Sequence, residues 1–106
     1  GYEEKHFAAA EKRGRLCLIA SPDGAAGSVR IHQDARVYAG LFDGAEQASV
    51  DLAHGRGLYV HVARGRITAN GTALDAGDAL KWWDPGPLTL ANGEQAEVLV
   101  FDLLLP

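Results

Sequence analysis

The sequence predicts an all-β domain, an antiparallel two-sheet sandwich or barrel, on three observations. Turn signals recur about every 8 to 12 residues, the spacing of a sandwich rather than of alternating strands and helices. Short runs of β-branched, aromatic and other apolar residues fill the intervals between those signals. Only one stretch has helical character, and it sits near the N-terminus.

That stretch is residues 8–13, where Ala8, Ala9, Ala10, Glu11, Lys12 and Arg13 are good helix formers and Gly14 stands where a C-terminal cap would. It offers about two turns at most. The expected strands are Leu16–Ala20, Val29–His32, Arg36–Phe42, Gln47–Leu52, Leu58–Arg64, Arg66–Ala69, Ala79–Trp83, Leu88–Leu90 and Glu97–Leu104, which leave almost no room for further helix. They are bounded by Ser21-Pro22-Asp23-Gly24, Asp43-Gly44, the glycines 55 and 57, Asn70-Gly71, Ala76-Gly77-Asp78, Asp84-Pro85-Gly86-Pro87 and Asn92-Gly93. In residues 58–63 the apolar set Leu58, Val60, Val62 alternates with Tyr59, His61, Ala63, the period-two pattern of a strand. Asn70-Gly71 suits a tight type I′ hairpin, because both central residues of that turn need positive φ. No internal repeat, low-complexity tract or linker interrupts the chain, so residues 1–106 read as one domain.

Composition narrows the partners. Hydrophobic residues make up 47% of the 106 and charged residues 23%, values of an ordinary globular chain and not of a disordered one. The net charge of −4 comes without a lysine or arginine cluster longer than Lys12-Arg13, so no nucleic-acid partner is expected. No apolar run approaches the roughly 20 residues of a membrane span, and no secretion signal opens the chain, so no membrane partner and a cytoplasmic location are expected. Cys17 is the only cysteine, which excludes an internal disulfide and any multi-cysteine zinc site. Among Leu16, Leu18 and Ile19 it reads as a small hydrophobe in or near the core. The chain starts at Gly1 and contains no methionine, so it is expected to be processed or cut from something longer.

Residues 58–80, LYVHVARGRITANGTALDAGDAL, have the rhythm of a cupin: a strand, Gly65, a second strand, the Asn70-Gly71 turn, then a corner at Gly77-Asp78. Upstream, residues 20–42 carry Ser21-Pro22-Asp23-Gly24, Gly27-Ser28, Ile31 with Gln33-Asp34, and Tyr38. This pattern resembles the opening of the C-terminal cupin domain of bacterial pirin-like proteins, some of which are described as quercetin 2,3-dioxygenases. Tyr2-Glu3, Lys5 and Phe7 are similar to the joint before that domain, and residues 97–103, EVLVFDL, to its last strand. The resemblance implies a cupin-type antiparallel β-sandwich or barrel (jelly roll). It also implies the C-terminal half of a two-domain protein in which an N-terminal cupin bears the metal.

A catalytic cupin presents two histidines separated by one residue, a glutamate, and a later third histidine to a metal ion. Anchored on Gly65, the first motif places the glutamate at Leu58 and the two histidines at Leu52 and His54; counted from Pro85, the second motif places the late histidine at Leu90. One imidazole cannot hold a catalytic ion, so no metal, no other cofactor and no catalytic residue are expected in this chain. His54 lies in the glycine-rich turn His54-Gly55-Arg56-Gly57 and reads as solvent-exposed, while His6 and His32 flank segments with no partner in view. His61, opposite in parity to Leu58, is expected outside the barrel and partly covered. The carboxylates Glu3, Glu4, Glu94 and Glu97 suggest no two-carboxylate site. Ser21, Ser28 and Ser49 lack a nucleophile elbow, and Gly55-Arg56-Gly57 is too short for a phosphate loop.

Two readings of function follow. The first is a metal-free, non-catalytic cupin domain that supports a metal-bearing N-terminal cupin acting as a quercetin 2,3-dioxygenase. The alternative is a binding module whose apolar interior, lined by Leu52, Leu58, Val60 and Val62, takes a small ligand. Trp82 and Trp83 must point to opposite faces of a strand, one as a core anchor and one outward. Tyr59, His61, Trp82 and Trp83 are therefore the candidate interface, toward the N-terminal cupin of the parent chain or a second copy.

Overall fold

The computed structural model describes residues 6–105. One short helix, α1 (Ala9–Lys12), precedes eight strands: β1 (Cys17–Ser21), β2 (Val29–Arg30), β3 (Ala35–Phe42), β4 (Ala48–Leu52), β5 (Arg56–Ala69), β6 (Thr72–Asp75), β7 (Ala79–Trp82) and β8 (Gly86–Leu104). Hydrogen bonds link the strands in the order β2-β1-β3-β8-β5-β6, with β4 on β8 and β7 on β5. The expected cupin-type all-β architecture with one short N-terminal helix is what the chain adopts. The sequence reading is corrected in three places. Residues 58–64 and 66–69 form one strand, and residues 88–90 and 97–104 likewise belong to one. Thr72–Asp75, not expected as a strand, pairs with β5 across the Asn70-Gly71 turn, whose residues have φ of 45° and 84°. The β1–β2 pair is parallel, because a loop with a single 3₁₀ turn at Ala25–Gly27 separates the two strands where a hairpin would have reversed them.

β5 and β8 run side by side through the whole sandwich and make both of its halves. The N-terminal part of β5 pairs with the C-terminal part of β8 (Leu58↔Asp102, Val60↔Val100, Val62↔Val98), and β3, β1, β2 and β7 extend this half. The remaining parts (Thr68↔Ala91, Ala69↔Leu90) carry β6 and β4 as the second half. Between the halves the register slips repeatedly from Val62 to Thr68. The slip reverses the side-chain parity of β5, since a one-residue offset exchanges the faces of a strand. Leu58, Val60 and Val62 point inward before it, and Ile67 and Ala69 point inward after it.

Gly65 permits this bend. It has φ of 69°, and a Cβ there would run into the backbone carbonyls of Glu94 and Gln95 on the facing strand. Gly93 makes the matching approach from β8, where a Cβ would stand 2.6 Å from the Phe42 carbonyl oxygen. Phe42, fully buried, closes over the bend from the end of β3. Between the folded halves lies one core that includes Phe42, Leu58, Val60, Val62, Ile67, Leu88, Leu90, Val98 and Val100. Each large side chain there contributes about 1.5–3 kcal/mol by leaving water.

The motif at residues 21–28 has a mechanical basis. Ser21 Oγ and Ser28 Oγ, both buried, share a hydrogen bond of 2.7 Å, and Ser28 Oγ donates to the Ala25 carbonyl at 2.6 Å. The Ala25 N–H donates to Ser21 Oγ at 3.0 Å and to Asp23 Oδ1 at 3.1 Å. Gly24, at φ of 68°, supplies the left-handed residue that the turn requires. The Ala25 N–H and then the Ser21 hydroxyl hold the Asp23 carboxyl below its ordinary range.

Two outcomes follow. Gly71 also has positive φ but faces open space, so Gly71→Ala carries only the left-handed penalty of about 1–2 kcal/mol. Gly65→Ala adds steric displacement of the β8 backbone and is expected to destabilise by roughly 1–3 kcal/mol more, read from paired urea melts. Equal costs would show that the bend does not depend on this close approach. For Asp23 the lowered pKa means that its charged form is the one stabilised by folding. Its contribution is complete above the unfolded carboxylate pKa, about 3.9, and is lost as pH falls through the lower folded value. An NMR titration is expected to show the Asp23 carboxyl and the Ala25 amide moving together below that pH.

Candidate functional site

The four positions that the cupin motifs assign to metal ligands fall into two environments. Leu52, Leu58 and Leu90 are core residues, at 3%, 2% and 0% exposure. His54 is exposed in the turn between β4 and β5. The interior at this point is therefore a set of packed methyl groups with one imidazole outside it. Among the described residues no group of three or more His, Cys, Asp and Glu side chains is arranged to hold a metal ion. The donor set does not fit the metal centre of a catalytic cupin. Val60 and Val62, at 0% exposure, complete the inward row of β5.

The open end of the interior is polar instead, and sequence reasoning missed the residue that organises it. Arg56, at the start of β5, turns its guanidinium inward between two carboxylates. Its Nε donates to Asp102 Oδ1 at 2.5 Å, its Nη1 to Asp34 Oδ1 at 2.9 Å, and its Nη2 to the backbone carbonyls of Asp34 (3.1 Å) and Asp102 (3.2 Å). Arg56 and Asp102 are largely buried while Asp34 is exposed. These bonds raise the Arg56 pKa above its usual value, the Asp102 hydrogen bond first and against some burial. Tyr38 faces the same end of the interior. Burial and then the Asp102 charge push its phenol upward. The only signal in the sequence is parity: Arg56 shares the face of Leu58, and Asp102 that of Val98 and Val100.

The candidate interface residues divide. Trp82 lies on the inner face opposite Leu58, half-buried against the core, with its indole N–H donating to the Asp84 carbonyl at 3.1 Å. Trp83 is 60% exposed. Tyr59 points outward and meets Phe101 edge-to-face, with ring centroids 6.0 Å apart. Tyr59, Trp82 and Trp83 come together with Lys81, Leu103, Leu104 and Leu105 around an open apolar groove of about 230 Å³. His61 is on the outer face too, half-buried between Leu99 and Ala79, and does not line that groove. Cys17 stands opposite Ala39 on the outer face and outside the core cluster, and burial, aided by Glu11, pushes its thiol up. His6 and His32 are exposed and far from forming a constellation with His54 or His61.

The model of the quercetinase C-terminal cupin domain matches residues 18–103. The chain belongs to that family. A quercetin 2,3-dioxygenase of Escherichia coli K12 is 32% identical over 102 residues, which are 96% of this chain and 43% of the relative. The crystal structure of YhhW from Escherichia coli superposes over the whole chain with a TM-score of 0.90 and 31% identity, and the chain covers 44% of that protein. A nickel(II) complex of the bacterial pirin YhhW superposes over 84% of the chain with a TM-score of 0.79 and 32% identity. The chain thus spans less than half the length of these three relatives. In this chain three of the four positions that the motifs assign to ligands are leucines, and the fourth is His54.

The Arg56 clamp yields a test. Arg56→Leu leaves Asp102 buried without its cation and is expected to cost about 3–5 kcal/mol. Combined with Asp102→Leu, the loss should fall well short of that figure, because no uncompensated charge remains. Additive costs in the double variant would show that the two groups do not act as a pair.

Proposed function

We propose that this chain is a metal-free, non-catalytic cupin domain, the C-terminal half of a two-cupin protein whose N-terminal cupin carries the metal and acts as a quercetin 2,3-dioxygenase. The observation that carries this reading is the burial of Leu52, Leu58 and Leu90 at the ligand positions, with His54 outside the interior. The relatives support the two-part organisation, since the chain spans 43% of one and 44% of another. In this arrangement the domain supplies a rigid body on which the metal-bearing half is held. Its interior residues Leu52, Leu58, Val60 and Val62 are packed against one another at 3% exposure or less, which favours a supporting role over an interior ligand site. No helix among the described residues is long and apolar enough to cross a membrane, and the surface carries no long basic cluster, in keeping with a cytoplasmic protein without a nucleic-acid partner.

Metal analysis tests the reading directly. The chain, dialysed against nickel, iron, copper or manganese, is expected to retain no stoichiometric ion and to leave quercetin unoxidised. The longer parent protein is expected to bind metal, and His54→Ala in the parent to leave its metal content and activity unchanged. About one equivalent held within this domain, or loss of the parent's metal on His54→Ala, would overturn the proposal.

A further inference from the structure

The groove beside Trp83 exists because one side chain is missing from the sheet. Leu58 pairs with Trp82 on β7, and Gly57 with Leu103 on β8, so Trp83 and Leu103 fall in one cross-strand row with Gly57 between them. The backbone at Gly57 is not left-handed, so what this position needs is space. A Cβ there would stand 2.9 Å from Leu105 Cδ2 and 3.8 Å from the Trp82 carbonyl oxygen. The result is a notch of about 230 Å³ whose floor is bare backbone and whose walls include Trp83, Leu103 and Leu105. Tyr59 and Lys81, paired with each other in the next row, also line it. Trp83 and the leucines at 103, 104 and 105 are the exposed large apolar side chains among the described residues. All four line this one notch.

Size and charge indicate what fills it. Four exposed side chains fall well short of the ~800 Å² that each partner of a standard protein interface buries. A concave apolar site of this size suits a small molecule instead: an apolar cavity of about 150 Å³ takes a benzene ring, so the notch has room for one ring with a short substituent. The exposed indole of Trp83 and the Tyr59 ring offer aromatic surface to a flat partner. Lys81 is the one charged group in the lining, and among the described residues its ammonium forms no ion pair. Asp84, the acid next to Trp83 in the chain, is not part of the lining. An anionic substituent is therefore matched at the rim, and a cationic one is repelled. We infer that the notch over Gly57 is a binding site for a small monocyclic aromatic carboxylate, with its ring against Trp83 and its carboxylate at the Lys81 ammonium. The site lies outside the packed interior, and it does not depend on the chain being half of a two-cupin protein.

NMR titration of the ¹⁵N-labelled chain with phenylacetate tests it. The chain has two tryptophans, so two indole N–H signals report on the site directly. The Trp83 indole is expected to shift saturably at millimolar phenylacetate together with the amides of Gly57 and Leu105, while the amides of Ser49 and Thr89 on the other half stay in place. Phenylacetamide, of the same shape without the charge, is expected to bind several-fold more weakly, and phenethylammonium not measurably. Trp83→Ala should weaken phenylacetate binding at least tenfold, and Lys81→Met should bring it down to the level of phenylacetamide. Gly57→Ala fills the floor and displaces only the end of the Leu105 side chain, so it is expected to abolish the shift in a chain whose remaining spectrum is native. The absence of a saturable shift, equal affinity for the three compounds, or unchanged binding by folded Gly57→Ala would overturn the inference. So would a Trp83 signal that moves with protein concentration alone, which would assign the notch to a second copy. The three compounds need no variant, so they decide the matter even where a variant does not fold.

Discussion

The close passage of β5 and β8 at Gly65 and Gly93 is the constraint on which the rest of the molecule depends. Two strands that each contribute to both halves of a sandwich must bend together, and they must change register as they do so. The bend needs a residue without a Cβ where β5 meets the carbonyls of Glu94 and Gln95, and a left-handed φ in the same place. Glycine meets both demands at once. The resulting parity reversal lets even-numbered residues of β5 fill the core below the bend and odd-numbered ones above it, against even-numbered residues of β8 throughout. Without the slip, one half would turn its apolar set to solvent.

The clamp at the open end follows from the same two strands. Below the bend β5 and β8 remain in register as far as Arg56↔Leu104, so Arg56 and Asp102 share the inward face one row apart. There the core runs out of apolar partners. A guanidinium that spans Asp102, Asp34 and two carbonyls satisfies the buried polar groups without water and also fastens the segment before β3. Among the described residues no buried side-chain nitrogen or oxygen is left without a partner. At this polar end each of the three Arg56 guanidinium nitrogens is committed to a carboxylate or a carbonyl of the fold.

How much of this was legible in the sequence depended on how local the signal was. Leu58, Val60 and Val62 declared their face by alternation, and Asn70-Gly71 declared a hairpin by its turn chemistry. β6 was missed because Thr72–Asp75 is four residues with a single buried side chain, Leu74, too short to show a period. The continuity of β5 and β8 was hidden because Gly65 and Asn92-Gly93 look like punctuation, and only the facing strand shows that they are bends within a strand. Arg56 was read as part of a glycine-rich turn, since its partners lie 22 and 46 residues away. The separation of Trp82 from Trp83 was foreseen in kind, while which of the two points inward required the pairing with Leu58.

Leucine at positions 52, 58 and 90 shows what the fold gains when these inward places are apolar. A glutamate at position 58, buried to the same depth, would need a cation and hydrogen bonds to compensate its lost hydration, a penalty of several kcal/mol if left unpaired. Leucine at that position stabilises the fold by about 1.5–3 kcal/mol, and Leu52 and Leu90 do so again. A metal-bearing cupin accepts the polar set and depends on the ion to offset it, so that folding and metal loading are coupled. In this domain the core closes on leucine at positions 52, 58 and 90. Under the proposed supporting role, a core built in that way would hold its shape whether or not a neighbouring metal centre is loaded.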